Sequence, residues 1–262
     1  MDRQAYTDST IRAGRALIAA ALMALMALAA LESGPAGAAA PPLVVLVDTG
    51  TEMPMANFRD GQLVEGIHKD LGAALASKLG REASFLPLPR KRIALALESG
   101  QADLICLYLP PWLPGAFGWS RGFYPMSTVV VTDTSVPRPR GLADLSGEPV
   151  ATVLGYYYPE LERAMGAGFI RDDGHSATAN LRKIAAGRLH HAITQQSTLD
   201  YYLKVGDKLS LHPPLVVKNY MAQCAVSPHG KVGVADVNQA IFALVKDGGL
   251  ARIIAAYQAR LK

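Results

Sequence analysis

Histidines, carboxylates and cysteines are the residues most able to do chemistry, and in this chain they do not assemble into a catalytic group. There are six histidines and two cysteines. His190 and His191 are adjacent in a predicted strand, so their rings point to opposite faces and cannot share one metal ion. His68, His175, His212 and His229 show no metal-ligand spacing, and no cysteine pair supports one. The phosphate-cradling P-loop and the dinucleotide G-x-G-x-x-G pattern are absent, so no cofactor is expected. Asp172-Asp173 reads as a polar turn facing solvent. Cys106, in LICLYL, and Cys224, in YMAQCAV, each lie in a predicted strand. If those strands are neighbours the two sulfurs can bridge in an oxidising compartment; otherwise they are two small core residues.

The elements that would position any site repeat themselves. Ile93 to Leu107 (IALALESGQADLICL) and Leu181 to Gln195 (LRKIAAGRLHHAITQ) both read as amphipathic helix, glycine, polar residue, apolar strand. Around the first copy, Leu43 to Val47 is an apolar strand. Leu71, Leu75 and Leu79 make the buried stripe of a helix that Gly80 ends, Ala83 to Leu88 is the next strand, and Pro89 opens a helix. This alternation predicts a largely parallel sheet with helices on its faces. A stiff loop at Pro110 to Gly115 follows, then a β-branched strand at Ser127 to Thr132 and the proline-rich Thr134 to Gly141, the stretch expected to carry the chain between two lobes. A second series begins with strand Pro149 to Leu154 and a helix at Pro159-Glu160. It ends with a helix from Ser197 to Val205, strand Tyr220 to Val226, and helices Val232 to Lys246 and Leu250 to Leu261.

Residues 1–40 have the three parts of a secretory signal: basic Arg3, Arg12 and Arg15, an apolar run from Ala16 to Leu31, and small residues at Ala36-Gly37-Ala38. The run is shorter than the ~20 residues needed to cross a bilayer core, so it is expected to be cleaved and the mature protein to be periplasmic. The formal charge of the 262-residue chain is +4, with local clusters only at Arg90-Lys91-Arg92 and Arg138-Pro-Arg140. A nucleic-acid partner would require a broader basic face, and none is expected.

In their order, these phrases resemble the periplasmic solute-binding proteins of ABC transporters, in particular the polar amino-acid receptors. The resemblance rests on Leu43 to Phe58, Gly61 to Leu79, Leu95 to Leu104, Trp119 to Tyr124, Leu142 to Gly155, Ala185 to Leu189 and Val245 to Tyr257, and it covers nearly all of the chain after residue 40. It implies an α/β fold of two lobes, with mixed sheets flanked by helices and two hinge strands. Lobe 1 would be 43–126 with 221–262, and lobe 2 would be 127–220. A solute would be enclosed between them by hinge closure, so each of its charges must meet a partner inside.

Two features of the receptor pattern are missing. The family holds the α-carboxylate of its ligand with an arginine after the strand that here ends at Leu107, where this chain reads Leu109-Pro-Pro-Trp-Leu-Pro-Gly115. The acidic residue that meets the α-ammonium is replaced by Gln195. An ordinary α-amino acid is therefore not the first expectation. Arg90 stands where relatives often carry a stacking aromatic residue, Tyr108 and Trp112 follow the Cys106 strand, and Tyr156 and Tyr157 occupy a turn before a helix N-terminus. Glu52 is the one carboxylate placed near the cleft. Together Arg90, Tyr108, Trp112, Tyr156, Tyr157, Gln195 and Glu52 are the expected ligand contacts, and they point to an anionic or amino-acid-like solute with a flat or apolar body. Three adjacent basic residues cannot all face inward, so Arg90 either enters the cleft or joins Lys91 and Arg92 in a solvated run.

The expectation is a monomeric, exported binding protein with no metal and no catalysis, delivering a small solute to an inner-membrane ABC permease. A receptor reporting to a membrane signalling protein fits the same residues. Some relatives of this fold are dehydratases acting on cyclohexadienyl substrates, but a single carboxylate is a poor basis for acid–base work.

Overall fold

The computed structural model describes residues 40–259; the expected signal peptide lies outside the described residues. Strands β1 (Leu43–Asp48), β4 (Ala83–Leu88) and β5 (Leu104–Tyr108) run parallel, with β1 in the centre. Between β1 and β4 come a hairpin, β2 (Asn57–Arg59) and β3 (Gln62–Glu65), and helix α1 (Ile67–Lys78); between β4 and β5 comes α2 (Arg90–Glu98). Leu43 to Val47 of β1 are all apolar because both faces of the strand are covered. Leu43 and Val45 pack with Leu71 and Leu75 of α1, while Leu46 packs with Ile93 and Leu97 of α2.

Beyond β6 (Gly118–Trp119) and β7 (Tyr124–Thr132), a second series follows. It comprises β8 (Pro149–Val153), α3 (Pro159–Met165), β9 (Ile170–Gly174), α4 (Ala177–Ala185), β10 (His191–Gln195) and α5 (Gln196–Val205). Its sheet is covered on one face by α4 and α5, through Leu181, Ile184 and Leu199, and on the other by Leu145, Leu161 and Met165. The chain returns through the long strand β11 (Leu215–Val226) and closes with α6 (Val234–Lys246) and α7 (Gly249–Ala259) on the first series.

Strand order among the described residues is β4-β1-β5-β11-β7-β10-β8-β9, with β6 on β11. β11 joins the halves: Gln223 to Val226 pair with β5, and Leu215 to Ala222 pair antiparallel with β7. The sheet thus consists of two half-sheets, each with its own helices and core, connected through β7 and β11. Both repeat copies form the predicted units, α2–β5 and α4–β10, and the glycines that end their helices, Gly100 and Gly187, take positive φ of 72° and 66°.

Several readings change. Asp172-Asp173 is not a turn but part of edge strand β9; Asp173 accepts from Thr152 and Arg171, and Asp172 pairs with Lys183. A strand that presents Arg171, Asp172 and Asp173 has no hydrophobic run, because its neighbour β8 supplies the core. The β2–β3 hairpin was not expected, although Asp60-Gly61, at φ 50° and 73°, is a strong hairpin turn signal. β11 begins five residues before Tyr220, because its first half alternates between half-buried and exposed residues and reads as polar. Cys106 and Cys224 are directly paired across β5 and β11 and form a disulfide, which settles the two readings left open by the sequence. His190 is exposed, whereas His191 is buried and bonds Thr132 Oγ1 at 3.0 Å, so the adjacent pair does separate. No helix among the described residues is long and apolar enough to cross a membrane.

Candidate functional site

The carboxyl ends of β1, β5, β8 and β10 face one another where the half-sheets meet, the usual place for ligands in open α/β sheets. A cavity of about 140 Å³ lies there, lined by residues of both halves. It is smaller than the ~300–1,000 Å³ of drug-sized pockets, so it suits a small solute. Glu52, Arg90, Tyr108, Trp112, Tyr156, Tyr157 and Gln195 all line it. Arg90 turns inward from the start of α2 while Lys91 and Arg92 stay exposed, because only the first of three adjacent helical residues can face the strand ends.

Asp48, the last residue of β1, organises the first half of the site, and sequence reasoning missed it. Its side chain is 2% exposed and its Oδ1 accepts from Gly50 N at 2.9 Å. Its Oδ2 accepts from Arg90 Nη1 at 3.3 Å and from the Tyr108 hydroxyl at 3.1 Å. Arg90 Nη1 also donates to the Tyr108 hydroxyl at 2.5 Å. The guanidinium carbon lies 4.7 Å from the Tyr108 ring centroid and 4.4 Å from that of Tyr156, so aromatic rings flank the cation. Burial is the largest influence on the Arg90 pKa and alone would lower it; Tyr108, Tyr156 and Asp48 reverse this and leave it raised. Burial likewise pushes the Tyr108 hydroxyl well above its ordinary range. The reading of Glu52 as the only carboxylate near the cleft is therefore corrected: Asp48 lies directly behind the lining residues Arg90 and Tyr108, and Glu160 lines the cavity and is paired with Lys218 at 2.7 Å. The signal that would have found Asp48 is its place at the carboxyl end of the central strand.

The second half holds a hydrogen-bonded triangle. Tyr220 donates to Gln195 Oε1 at 2.8 Å, Gln195 Nε2 donates to Thr128 Oγ1 at 3.1 Å, and Thr128 and Tyr220 stand 3.3 Å apart. Thr128 and Tyr220 belong to β7 and β11, so the triangle ties the strands that join the halves. Trp112 meets the Tyr220 ring edge-on at 5.2 Å. Thr194 also lines the cavity; its hydroxyl is buried without a hydrogen-bond partner. Tyr157 is 55% exposed, at the rim.

Glu52 crosses between the halves. Its Oε2 accepts from Thr178 N at 2.8 Å, in the first turn of α4, where Ser176 caps the helix by accepting from Ala179 N at 3.2 Å. A carboxylate at a helix N-terminus meets unsatisfied N–H groups and the positive end of the helix dipole. This contact fastens the halves together on the cavity's rim.

His68, near the start of α1, also lines the cavity and is 6% exposed. Burial lowers its pKa to about 4 from an ordinary value near 6.5, so the ring is neutral at pH 7. Because the unfolded chain binds a proton that the folded chain refuses between those values, stability is complete above about pH 6.5 and falls as pH drops toward 4. The expected loss is about 3 kcal/mol at pH 4. Urea unfolding of His68→Gln compared with the parent at pH 7.5, 5.5 and 4.5 checks this: the variant's curve should be the flatter, and equal slopes would remove His68 as the cause. No cluster able to hold a metal ion occurs among the described residues.

No protein-family model matches the chain. The arginine-binding extracellular protein ArtP of Bacillus subtilis (strain 168) is 24% identical over 171 residues, which is 63% of this chain and 66% of that protein. Among solved structures, an ancestral arginine-binding protein bound to arginine matches with TM-score 0.68 at 20% identity, covering 83% of this chain and 97% of that one. The ancestral amino acid-binding protein AncCDT-1, a precursor of cyclohexadienyl dehydratase, matches with TM-score 0.67 at 19% identity, covering 82% and 94%. The fold is the two-lobed, periplasmic-binding-protein-like fold implied by the sequence phrases, and the resemblance to polar amino-acid-binding proteins holds in these relatives.

Proposed function

We propose that this chain is an extracytoplasmic solute-binding protein that captures a small polar or aromatic solute by closing its two lobes and delivers it to an ABC permease. The observation that carries this reading is the cavity lined from both half-sheets, with a cross-lobe fastening at its rim between Glu52 and Thr178. Closure excludes water, so the few polar groups inside act at full strength on whatever enters. The named activities of the relatives and the export-like N-terminus support the same reading. Binding without turnover is the expected outcome, and the site residues act as contacts.

The test is a thermal-shift screen of the full protein against amino acids, aromatic acids and amides, amines and small sugars, followed by small-angle scattering of any hit. A solute at a hundred times its Kd should stabilise by ~2.7 kcal/mol and make the particle more compact. Glu52→Ala should weaken that solute roughly tenfold, the order of one hydrogen bond to a charged group, and reduce the compaction. Stabilisation with unchanged dimensions would refute capture by closure, and conversion of the hit during incubation would show an enzyme.

A further inference from the structure

Resting on that reading, we infer that the solute enclosed here carries no net charge: the site is built for an uncharged, hydrogen-bonding, flat molecule. Every charge on the cavity wall or directly behind it already has a partner. The Asp48 carboxylate has three donors, from Gly50, Arg90 and Tyr108. Arg90 is the corresponding cation, only 15% exposed, with Asp48 and Tyr108 along one edge and tyrosine rings near its faces. Lys218 is paired with Glu160 at the rim, and Glu52, which forms no ion pair among the described residues, is met by the Thr178 N–H at the positive end of α4. His68, which could become a cation, is held neutral by burial.

A guest with a lone carboxylate or ammonium would therefore enter an enclosed space where every charge is already engaged by a protein group. It would have to displace an existing partner or stay desolvated without one, and the second course costs several kcal/mol. The groups left to serve a guest are neutral. The Thr194 hydroxyl is buried and lacks a hydrogen-bond partner, the neutral imidazole of His68 lines the cavity, and Tyr108, Trp112, Tyr156 and Tyr220 supply aromatic surface. A hydroxyl that both donates and accepts, beside aromatic walls, fits an amide, a hydroxyl or a ring nitrogen on a flat frame. The sequence expectation of an anionic solute rested on Arg90 without its partner Asp48.

The experiment uses matched triplets that keep the frame and change the charge: phenylacetamide, phenylacetate and phenethylamine; indole-3-acetamide, indole-3-acetate and tryptamine. L-arginine is included. Affinities are measured by calorimetry on the full protein at pH 7.5. The amide of a set is expected to bind at least tenfold tighter than its acid or amine. Between pH 8 and 6 the affinity for the acid should rise about tenfold per unit as its uncharged fraction grows, with the amide unchanged. A second arm uses Asp48→Asn, which leaves Arg90 without its counter-charge; this variant should gain the acid and lose preference for the amide. Tightest binding by an acid, an amine or L-arginine overturns the inference while leaving the binding function intact. Failure of every compound, in these sets and in the broader screen, overturns both.

Discussion

Asp48→Asn should unfold at markedly lower urea concentration than the parent, with a loss of about 3–5 kcal/mol, the usual cost of stranding one member of a buried ion pair. The substitution keeps the shape of the side chain and removes only its charge. Arg90 would retain the Tyr108 hydroxyl and the flanking rings, but neither neutralises a cation that is 15% exposed. The Tyr108 hydroxyl would lose a charged acceptor as well. Replacing both members, as Asp48→Asn with Arg90→Leu, should restore much of the loss, since an apolar group in place of a buried pair is often neutral. A single variant within 1 kcal/mol of the parent, or a double variant worse than the sum of the singles, would show that the pair is not the element holding this end of the sheet.

Cys106→Ser with Cys224→Ser is expected to cost about 5 kcal/mol, from the entropy of opening a loop closed by residues 118 apart. Both sulfurs lie in the core cluster formed by α1, α6 and α7 on the first half-sheet, at 3% and 0% exposure, so two buried hydroxyls add to the penalty. Alanine at both positions separates the terms, because it lacks the hydroxyls and keeps the loss of cross-link. Thermal unfolding of the parent with and without reductant should reproduce the alanine result. A reduced protein as stable as the oxidised one would remove the bridge from the list of stabilising elements.

The sequence made the alternation of strands and helices readable because β1, β4, β5 and β10 are apolar runs and the helices end at glycine. It also made residues at strand ends readable as neighbours: Arg90, Tyr108, Trp112, Tyr156 and Gln195 lie at or soon after the ends of strands, and the structure brings them to one cavity. What was not legible depends on pairing across long separations. Arg90 and Asp48 are 42 residues apart, and nothing local in either segment shows that they neutralise each other. Strand β9 escaped because an edge position tolerates Asp172 and Asp173, so its hydrophobic pattern is missing. The buried, unpartnered Thr194 was hidden in an apolar run, where a threonine reads as another β-branched core residue. The choice between bridged and separate cysteines required the register of β5 against β11, which sequence does not supply.

That register has a mechanical side. β11 is stapled to β5 at Cys224, and the irregularity in its pairing falls immediately before this point, between Gln223 and Cys224, with another between Val216 and Lys218. Beyond the staple β11 is cross-linked to the first half, and the span between the two irregularities has a break in pairing at each end and no disulfide of its own. Tyr220, which holds Gln195, sits within that span. A molecule bound against the triangle therefore touches the strand that joins the halves, on the axle side of the cavity and away from the Glu52–Thr178 contact at its rim.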